Sequence, residues 1–251
     1  MQGDEKWACV GKKEKPCAPE EPAAAKQGDT GDQVALDPEP RLVVSVVPGK
    51  RRAENVEKVV QDFKARTGGR PMTLLTSDEY PAYKAAMLNA SGTEVVPPHT
   101  GKPGRPKVPY KVAPPELQYA TVHKTREKGR VVKGDFRVVF GTVLGVMAAL
   151  AQSVVSTAIN TAFVERHNGT DRNRNARKVR KSYCFSKNWN VHEARTSFTL
   201  YSYNFCWPVR TLRVRDAAGH WRQRTPAMAA GLSDHIWTLF EWLTFPGVQR
   251  K

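Results

Sequence analysis

Residues 34–49, VALDPEPRLVVSVVPG, hold two short apolar runs separated by a polar DPEP turn at residues 37–40. Runs of this length that are rich in valine and bounded by proline and glycine are typical of β-strands. Upstream, the first ten residues form another β-prone run, which Gly11 ends. The sequence therefore predicts three strands that follow one another as a meander, with a polar, loop-like excursion at residues 11–33 between the first strand and the second.

Helical and strand patterns alternate after the meander. Residues 53–67 carry a stripe of valine and phenylalanine at three- and four-residue spacing, and a glycine pair follows. An apolar strand then leads to Asp78, and a helix begins near Pro81. This order predicts an α/β fold with a mixed sheet. Further on we expect a hairpin over residues 117–142 and helices over 143–155, 161–181 and 191–205, the last with an apolar stripe of Val191, Ala194, Phe198, Tyr201 and Phe205.

The pattern fits one main domain over residues 1–215 and a tail over residues 216–251, which holds one short helix near residues 233–243. Residues 91–118 are rich in proline, glycine and lysine, which favours an inserted loop. A chain of 251 residues is long enough to bury a sizeable core, and its 40% hydrophobic content supports a globular fold.

The charge of the chain is strongly positive and unevenly spread. The formal net charge is +16, yet residues 1–40 hold nine acidic and five basic side chains, a net of −4, so the remainder carries +20. Such an excess attracts phosphate-rich polyanions through salt-screened steering. A membrane partner is disfavoured, because the best apolar segment, around residues 143–155, is short enough to be a core helix.

The N-terminus and the cysteines argue against secretion and against a zinc site. The first residues lack the basic-then-apolar pattern of a signal peptide, and the four cysteines show no CxxC spacing. These features favour reduced thiols in a cytoplasmic protein. The HEAR segment at residues 192–195 lacks the second histidine of a zinc-protease helix and is interpreted as a surface pair.

Three acidic residues lie at positions where separate elements bring side chains together. Asp4 lies beside the first strand, Asp78 ends the fourth and Glu165 begins the helix predicted over residues 161–181. Phosphoryl transfer on nucleic acid uses two divalent cations about 4 Å apart, held by carboxylates that converge from different elements. A single acid of this kind is usually solvated or caps a turn, and that reading is preferred for Asp32, Asp37 and Glu79.

The stretch at residues 163–187, FVERHNGTDRNRNARKVRKSYCFSK, carries Glu165 at the head of a basic run. In a continuous helix Glu165, Asn168, Arg172 and Asn175 share one face. Taken alone, such a run is more often a solvated basic helix than a site. The acid at its head, the two further acids and the positive body favour a site that faces a bound polyanion.

Three motifs in this order resemble the catalytic region of transposases of the insertion-sequence-one type. DEKW at residues 4–7 resembles the family's first motif, SDEYPAY at residues 77–83 its second and FVERHN at residues 163–168 its third. The family's arginine seven residues after the glutamate is matched by Arg172, its later Arg-Lys pair by residues 180–181 and its FSK element by residues 185–187. The resemblance covers most of the chain, and the joint presence of all three motifs makes it specific.

The resemblance implies a DDE recombinase with a ribonuclease-H-like fold, in which a three-strand meander precedes alternating helices and strands. It places the catalytic, metal-binding acids on Asp4, Asp78 and Glu165, with two Mg²⁺ ions as cofactors and Mn²⁺ able to substitute. The implied partners are the terminal repeats of a mobile element and target DNA, within a homo-oligomeric synaptic complex associated with the nucleoid. The residues expected to contact DNA are Arg166, Asn168, Arg172, Arg174, Arg177, Lys178, Arg180, Lys181 and Lys187.

One departure from the family leaves alternatives open. Family members usually carry a DNA-binding segment before the first acid, whereas this chain starts three residues before Asp4. We therefore expect that segment either to come from an upstream reading frame or to be missing. In the second case the chain is an inactive remnant that only binds DNA, with Asp4 held loosely by a short first strand. A stand-alone nuclease of the same fold is a third possibility.

Overall fold

The computed structural model describes residues 1–15, 26–69, 72–98, 107–179 and 182–246. A six-stranded mixed sheet with the order β3-β2-β1-β4-β7-β8 forms its centre. β1, β4 and β7 run parallel to one another, while β2 and β8 are antiparallel to their neighbours. The strands of this sheet are β1 (Gln2–Val10), β2 (Gly28–Asp37), β3 (Leu42–Val47), β4 (Leu75–Asp78), β7 (Tyr119–Glu127) and β8 (Arg130–Phe140).

Helices cover both faces of the sheet, and four short strands form two small ribbons. β5 (Thr93–Val95) pairs with β6 (Tyr110–Val112), and β9 (Val214–Arg215) pairs with β10 (Trp221–Arg222). The fold is thus of the mixed α/β class, as the sequence predicts. The helices are α1 (Ala53–Arg66), α2 (Ala82–Ser91), α3 (Val143–Gln152), α4 (Ala162–Arg174), α5 (Trp189–Cys206), α6 (Pro226–Ala229) and α7 (Leu239–Thr244).

Two apolar clusters lie on opposite faces of the central sheet. Successive residues of β2 supply both of them, because side chains alternate across a strand. Ala35 packs with the buried valines and Phe63 of α1 and with Tyr83 and Met87 of α2. Val34 and Leu36 instead pack with residues of α4 and α5, including Val164, Leu200 and Tyr203. The meander is therefore buried between two helical layers, one of which carries Glu165, whereas most of β8 is exposed.

The meander, the helix at residues 53–67 and the hairpin at residues 117–142 are confirmed, but two loop predictions are wrong in part. β2 begins at Gly28, inside the expected excursion at residues 11–33. The segment at residues 91–118 contains the paired strands β5 and β6. These strands are defined by cross-strand hydrogen bonds. Their polar composition gives no strand pattern that could be recognised in the sequence.

The apolar stripe predicted for α5 is the wrong face of that helix. Val191 is exposed, whereas polar side chains such as His192, Thr196 and Asn204 are buried. Asn204 explains part of this inversion, because its side chain hydrogen-bonds the backbone N–H and carbonyl of Val43 in the edge strand β3. The tail packs on the other side of α5, where Phe198 meets Trp242 and Phe205 meets Trp237.

Candidate functional site

Asp4, Asp78 and Glu165 line one open cleft of about 520 Å³ at the edge of the central sheet. Asp4 lies in β1, Asp78 is the last residue of β4 and Glu165 lies in the first turn of α4. The parallel pairing of Gly3 with Ser77 places the two aspartates at the next position of adjacent strands. The structure thus brings the three predicted acids together. The remaining residues of the cleft are Glu5, Trp7, Glu79, Val122, His123, Lys124, Thr161, Asn168 and Arg172.

A close packing contact lies directly beneath the two aspartates. Tyr83 of α2 is fully buried, and its ring lies against the backbone of Gly3, where a Cβ atom would approach the ring to 2.8 Å. The hydroxyl of Tyr83 donates to Gln33 Oε1 at 3.1 Å. This contact explains why the second sequence motif contains a tyrosine: it supports β1 next to Asp4.

The aspartates repel one another and resist ionisation. Burial, together with the negative charges of Asp78 and Glu165, raises the pKa of Asp4 to about 7. Burial also raises the pKa of Asp78, again with a contribution from Glu165. Carboxylates crowded in a partly desolvated cleft favour the uptake of a compensating cation. The electrostatics of the cleft therefore suit a cationic ligand.

Lys124 already places one positive charge in this acidic cleft. Lys124 Nζ, which projects from β7, forms an ion pair with Glu165 and donates to Thr161 Oγ1 at 3.2 Å. Thr161 also hydrogen-bonds Glu165. Glu165 is thus held at the cleft by two side chains and turned toward the lysine. Two further carboxylates of the cleft are also paired: Glu5 forms an ion pair with Arg51 at 2.5 Å, and Glu79 lies 2.5 Å from His123 Nδ1.

Asn168, one turn beyond Glu165, connects α4 to the first acid. Its Nδ2 donates to Asp4 Oδ2 at 2.9 Å. Its Oδ1 is buried without a hydrogen-bond partner among the described residues. A buried carbonyl-type oxygen of this kind is costly unless something satisfies it. Asn168 therefore both orients Asp4 and leaves one hard oxygen available for a ligand.

Polar contacts join β1 to α4 along the whole length of the interface, which we call the β1–α4 seam. At one end Gln2 Oε1 accepts from the backbone N–H groups of Phe163 and Val164, both at 3.1 Å. In the middle lies the Asp4–Asn168 contact. At the other end the buried Lys6 forms an ion pair with Asp171. Alternate residues of the strand thus bind successive turns of the helix, so Asp4 is firmly anchored rather than loosely held.

The helix that carries Glu165 is shorter than the sequence predicts. α4 ends at Arg174, because Asn175 leaves the helical region at φ −124° and ψ 94°. The Asn175 side chain accepts from the N–H of Arg177 and begins a short 3₁₀ turn over Ala176–Lys178. The basic residues beyond Asn175 therefore do not continue the face of α4 that carries Glu165.

The predicted DNA-contacting residues fall into different environments. Arg166 and Lys187 are exposed, Arg177 is half-buried, and Arg172 lines the cleft with Asn168. Arg174 instead turns toward α5, where it donates to the Thr199 carbonyl at 3.0 Å and lies 4.7 Å from the Trp207 ring centroid. Arg180 and Lys181 lie outside the described residues.

The prediction that Lys178 contacts DNA is wrong, because its side chain is only 1% exposed. It forms a buried ion pair with Asp32, and His192 Nε2 donates to the same carboxylate at 3.0 Å. Burial by itself would raise the pKa of Asp32, but the charge of Lys178 and the hydrogen bond from His192 outweigh it and hold that pKa below its usual value. Asp32 and His192, which the sequence suggested were surface groups, are therefore both core residues.

The donor set suits a hard divalent cation, since it consists of carboxylates and an amide oxygen from separate elements. Within the described parts of the chain, however, no three His, Cys, Asp or Glu side chains already have the spacing of a formed metal site. The ion pair between Lys124 and Glu165 accounts for part of this difference, because it turns the third carboxylate toward the lysine. A cation that uses Glu165 has to displace Lys124 from it.

Lys124 and Glu5 belong to the cleft but escaped the sequence reasoning. Lys124 follows an apolar run in β7, and only the pairing of Asp78 with Val122 brings it near the acids. Glu5 directly follows Asp4 in β1, and a strand neighbour is expected to point to the other face of the sheet. Lys124 lies two residues beyond Val122, the strand partner of Asp78. It can be recognised as a cleft residue only when the β4–β7 register is known.

Comparison of the chain with family models, with curated proteins and with solved structures finds no match. Among the described helices, none combines the length and apolar character required to cross a membrane.

Proposed function

We propose that this chain is the catalytic region of a DDE-type DNA transposase with a ribonuclease-H-like fold. The observation that carries the proposal is the convergence of Asp4, Asp78 and Glu165, from two parallel strands and one helix, on a single cleft. The element order adds support, because a three-strand meander is followed by a strand with the second acid and later by a helix with the third. The positive body of the chain suits a polyanionic substrate.

The proposed reaction is phosphoryl transfer at the ends of a mobile element. Water attacks a phosphodiester of the element end, and the freed 3′-hydroxyl then attacks a phosphodiester of target DNA. Two Mg²⁺ ions, or Mn²⁺ in their place, held by Asp4, Asp78 and Glu165, would supply charge stabilisation and activation of the attacking group. Asn168 keeps Asp4 oriented in the cleft, and Thr161 supports Glu165.

Cationic side chains at the cleft bind and orient the DNA strand in this proposal. Arg172 lines the cleft beside Asn168, and Lys124 becomes available to a phosphate once it leaves Glu165. Contacts of this kind position the backbone without reading its sequence. The wider assembly in this proposal is a homo-oligomeric synaptic complex on the nucleoid.

Two carboxylate variants test the proposal. Asp78→Asn and Glu165→Gln remove a negative charge while keeping side-chain size, so both should abolish Mg²⁺-dependent cleavage and joining of element-end DNA. Binding to the same DNA in a gel-shift assay should remain close to that of the parent. Asp135→Asn is the matched control, because Asp135 pairs with Lys133 on β8 outside the cleft, and it should retain cleavage.

The outcomes separate the alternatives. Parental cleavage by either cleft variant contradicts the assignment of the three acids. A parent that binds DNA but neither cuts nor joins it supports an inactive DNA-binding remnant. A parent that cuts but never joins ends supports a stand-alone nuclease of the same fold.

A further inference from the structure

An arginine-rich β-ribbon follows α5 and contributes no residue to the carboxylate cleft. Its two strands, β9 and β10, pair Arg215 with Trp221. The turn between them is well defined, because Asp216 Oδ1 accepts from the N–H groups of Ala218 and His220 at 3.0 and 2.8 Å. Gly219 adopts a φ of +84°, which a glycine tolerates without strain. The ribbon therefore has a defined backbone conformation.

Two guanidinium groups of the ribbon flank one indole ring. Arg213 Cζ lies 4.0 Å and Arg215 Cζ 5.0 Å from the ring centroid of Trp221, which is half exposed. Stacking on an aromatic ring orders a guanidinium group without consuming its N–H donors. The ribbon thus presents ordered, solvent-facing donors of the kind that bind phosphate oxygens in pairs.

The positive charge of the ribbon is not neutralised locally. Residues 210–224 contain five arginines and one aspartate, and that aspartate is engaged by the turn. Arg210, Arg213 and Arg215 are exposed and form no ion pair with a carboxylate of the described residues.

The other two arginines of residues 210–224 fix the backbone of the ribbon, one by a contact outside this segment and one by a contact within it. Arg222 donates to the Asp234 carbonyl at 3.2 Å, and Arg224 donates to the Leu212 carbonyl at 2.8 Å. The five arginines thus divide into two that hold the ribbon in place and three that face solvent. The three outward-facing arginines are thereby presented on a backbone that the other two help to fix.

We propose that this ribbon is a second DNA-contact surface, at which Arg210, Arg213 and Arg215 bind backbone phosphates of a duplex outside the cleft. The inference rests on the proposed function in taking DNA as the ligand. Contacts to phosphates supply affinity and orientation without sequence preference. The ribbon therefore adds to the strength and the salt sensitivity of DNA binding and takes no part in the chemistry.

The test uses the full chain with Arg213→Gln and Arg215→Gln combined. Binding to a fluorescent duplex of arbitrary sequence is measured by anisotropy at several salt concentrations. Loss of two phosphate contacts should reduce the slope of log affinity against log salt by about 2. Lys58→Gln combined with Lys107→Gln is the matched control, since it removes the same charge from exposed positions outside the cleft and the ribbon and should keep the parental slope. Thermal unfolding of both double variants checks that each remains folded.

The outcomes for the ribbon and for the cleft are independent. A ribbon variant with the parental slope, or a control variant with the same loss, overturns the ribbon proposal even if Asp78→Asn abolishes cleavage. A ribbon variant with the reduced slope supports the ribbon even if the parent never cleaves, which would contradict the transposase function alone. A parent that does not bind duplex DNA overturns both proposals.

Discussion

Lys124 brings an ammonium group to a cleft in which burial raises the pKa values of Asp4 and Asp78. Its ion pair with Glu165 satisfies one of the three acids internally, at a place where a divalent cation is expected to bind. Lysine and cation therefore compete for the same carboxylate. This competition explains how a donor set that suits a metal ion can lack the spacing of a formed metal site among the described residues.

Replacing Lys124 with methionine should tighten divalent-cation binding. The variant frees Glu165 and removes a repulsive charge, but water screens the half-exposed pair, so the gain is about 1 kcal/mol, or about five-fold in affinity. Titration with Mn²⁺, followed by electron paramagnetic resonance, measures this change directly. Lys133→Met, which breaks the exposed pair with Asp135, should leave the affinity unaltered. Unchanged or weaker Mn²⁺ binding by Lys124→Met would show that the two cations do not compete.

The residues of this cleft differ in how far their roles could be predicted from the sequence. Asp4, Asp78 and Glu165 could be selected because each lies near the end of a recognisable element and within a short motif. Lys124 could not, since its role depends on strand register. Lys178 looked like another cation of a basic run, yet it is buried against Asp32, which lies 146 positions away in the chain. Sequence proximity indicates charge but not the partner that neutralises it.

At the scale of elements, the β1–α4 seam sets the geometry of the cleft. α4 has no side-chain cap of its own at Thr161, and Gln2 supplies the missing acceptor for two backbone N–H groups. Gln2 Nε2 also donates to the Asn160 carbonyl at 2.9 Å. One side chain of β1 thus fixes the start of the helix that carries Glu165, two residues before Asp4 in the same strand.

Replacing Gln2 with leucine should loosen the first turn of α4. The loss leaves two N–H groups without an acceptor and costs about 1–2 kcal/mol, as the loss of a helix cap does. Amide exchange at Phe163 and Val164 should therefore become faster, and cleavage should fall further than DNA binding. Gln118→Leu is the control, because Gln118 Oε1 accepts from the N–H of Thr142 at the start of α3. Equal exchange at Phe163 in the two variants would refute this role for Gln2.

Helix boundaries and buried faces show where element-level prediction ends. The alternation of strands and helices could be recognised from periodicity and turn residues, because those signals are local. α4 stops at Asn175 since that side chain bonds the following turn, and α5 buries Asn204 because β3 offers it two backbone partners. A pattern of hydrophobic residues gives no information about such polar contacts, because they form only when segments distant in sequence come together.

On the scale of the whole molecule, buried ion pairs replace apolar contacts where the helical layer meets the sheet. Lys6 pairs with Asp171, and Lys178 pairs with Asp32 beside His192, all of them fully or almost fully buried. The ring of His167 lies edge-on to Tyr203 near the Lys6–Asp171 pair, and burial lowers the pKa of that histidine to about 3. These two lysines are thus neutralised inside the fold, and the excess positive charge of the chain lies on other residues.

Breaking the Lys178–Asp32 pair should destabilise the whole fold in a pH-dependent manner. Lys178→Met leaves a buried carboxylate without its main partner and should cost about 3–5 kcal/mol near neutral pH. Because the folded pKa of Asp32 is depressed, the pair stabilises the parent above the unfolded pKa of about 4, and this contribution is lost as pH falls below it. The penalty of Lys178→Met should therefore shrink in acid, where Asp32 becomes protonated.

Urea unfolding of the parent and Lys178→Met across this pH range measures the effect. Adding Asp32→Asn to Lys178→Met should recover part of the lost stability at neutral pH, because no buried charge then remains unpaired. The exposed pair provides the comparison: Lys133→Met should change the unfolding free energy by at most about 1 kcal/mol at any pH. If Lys178→Met behaves like Lys133→Met, the buried pair does not support the fold and Lys178 becomes a candidate for DNA contact again.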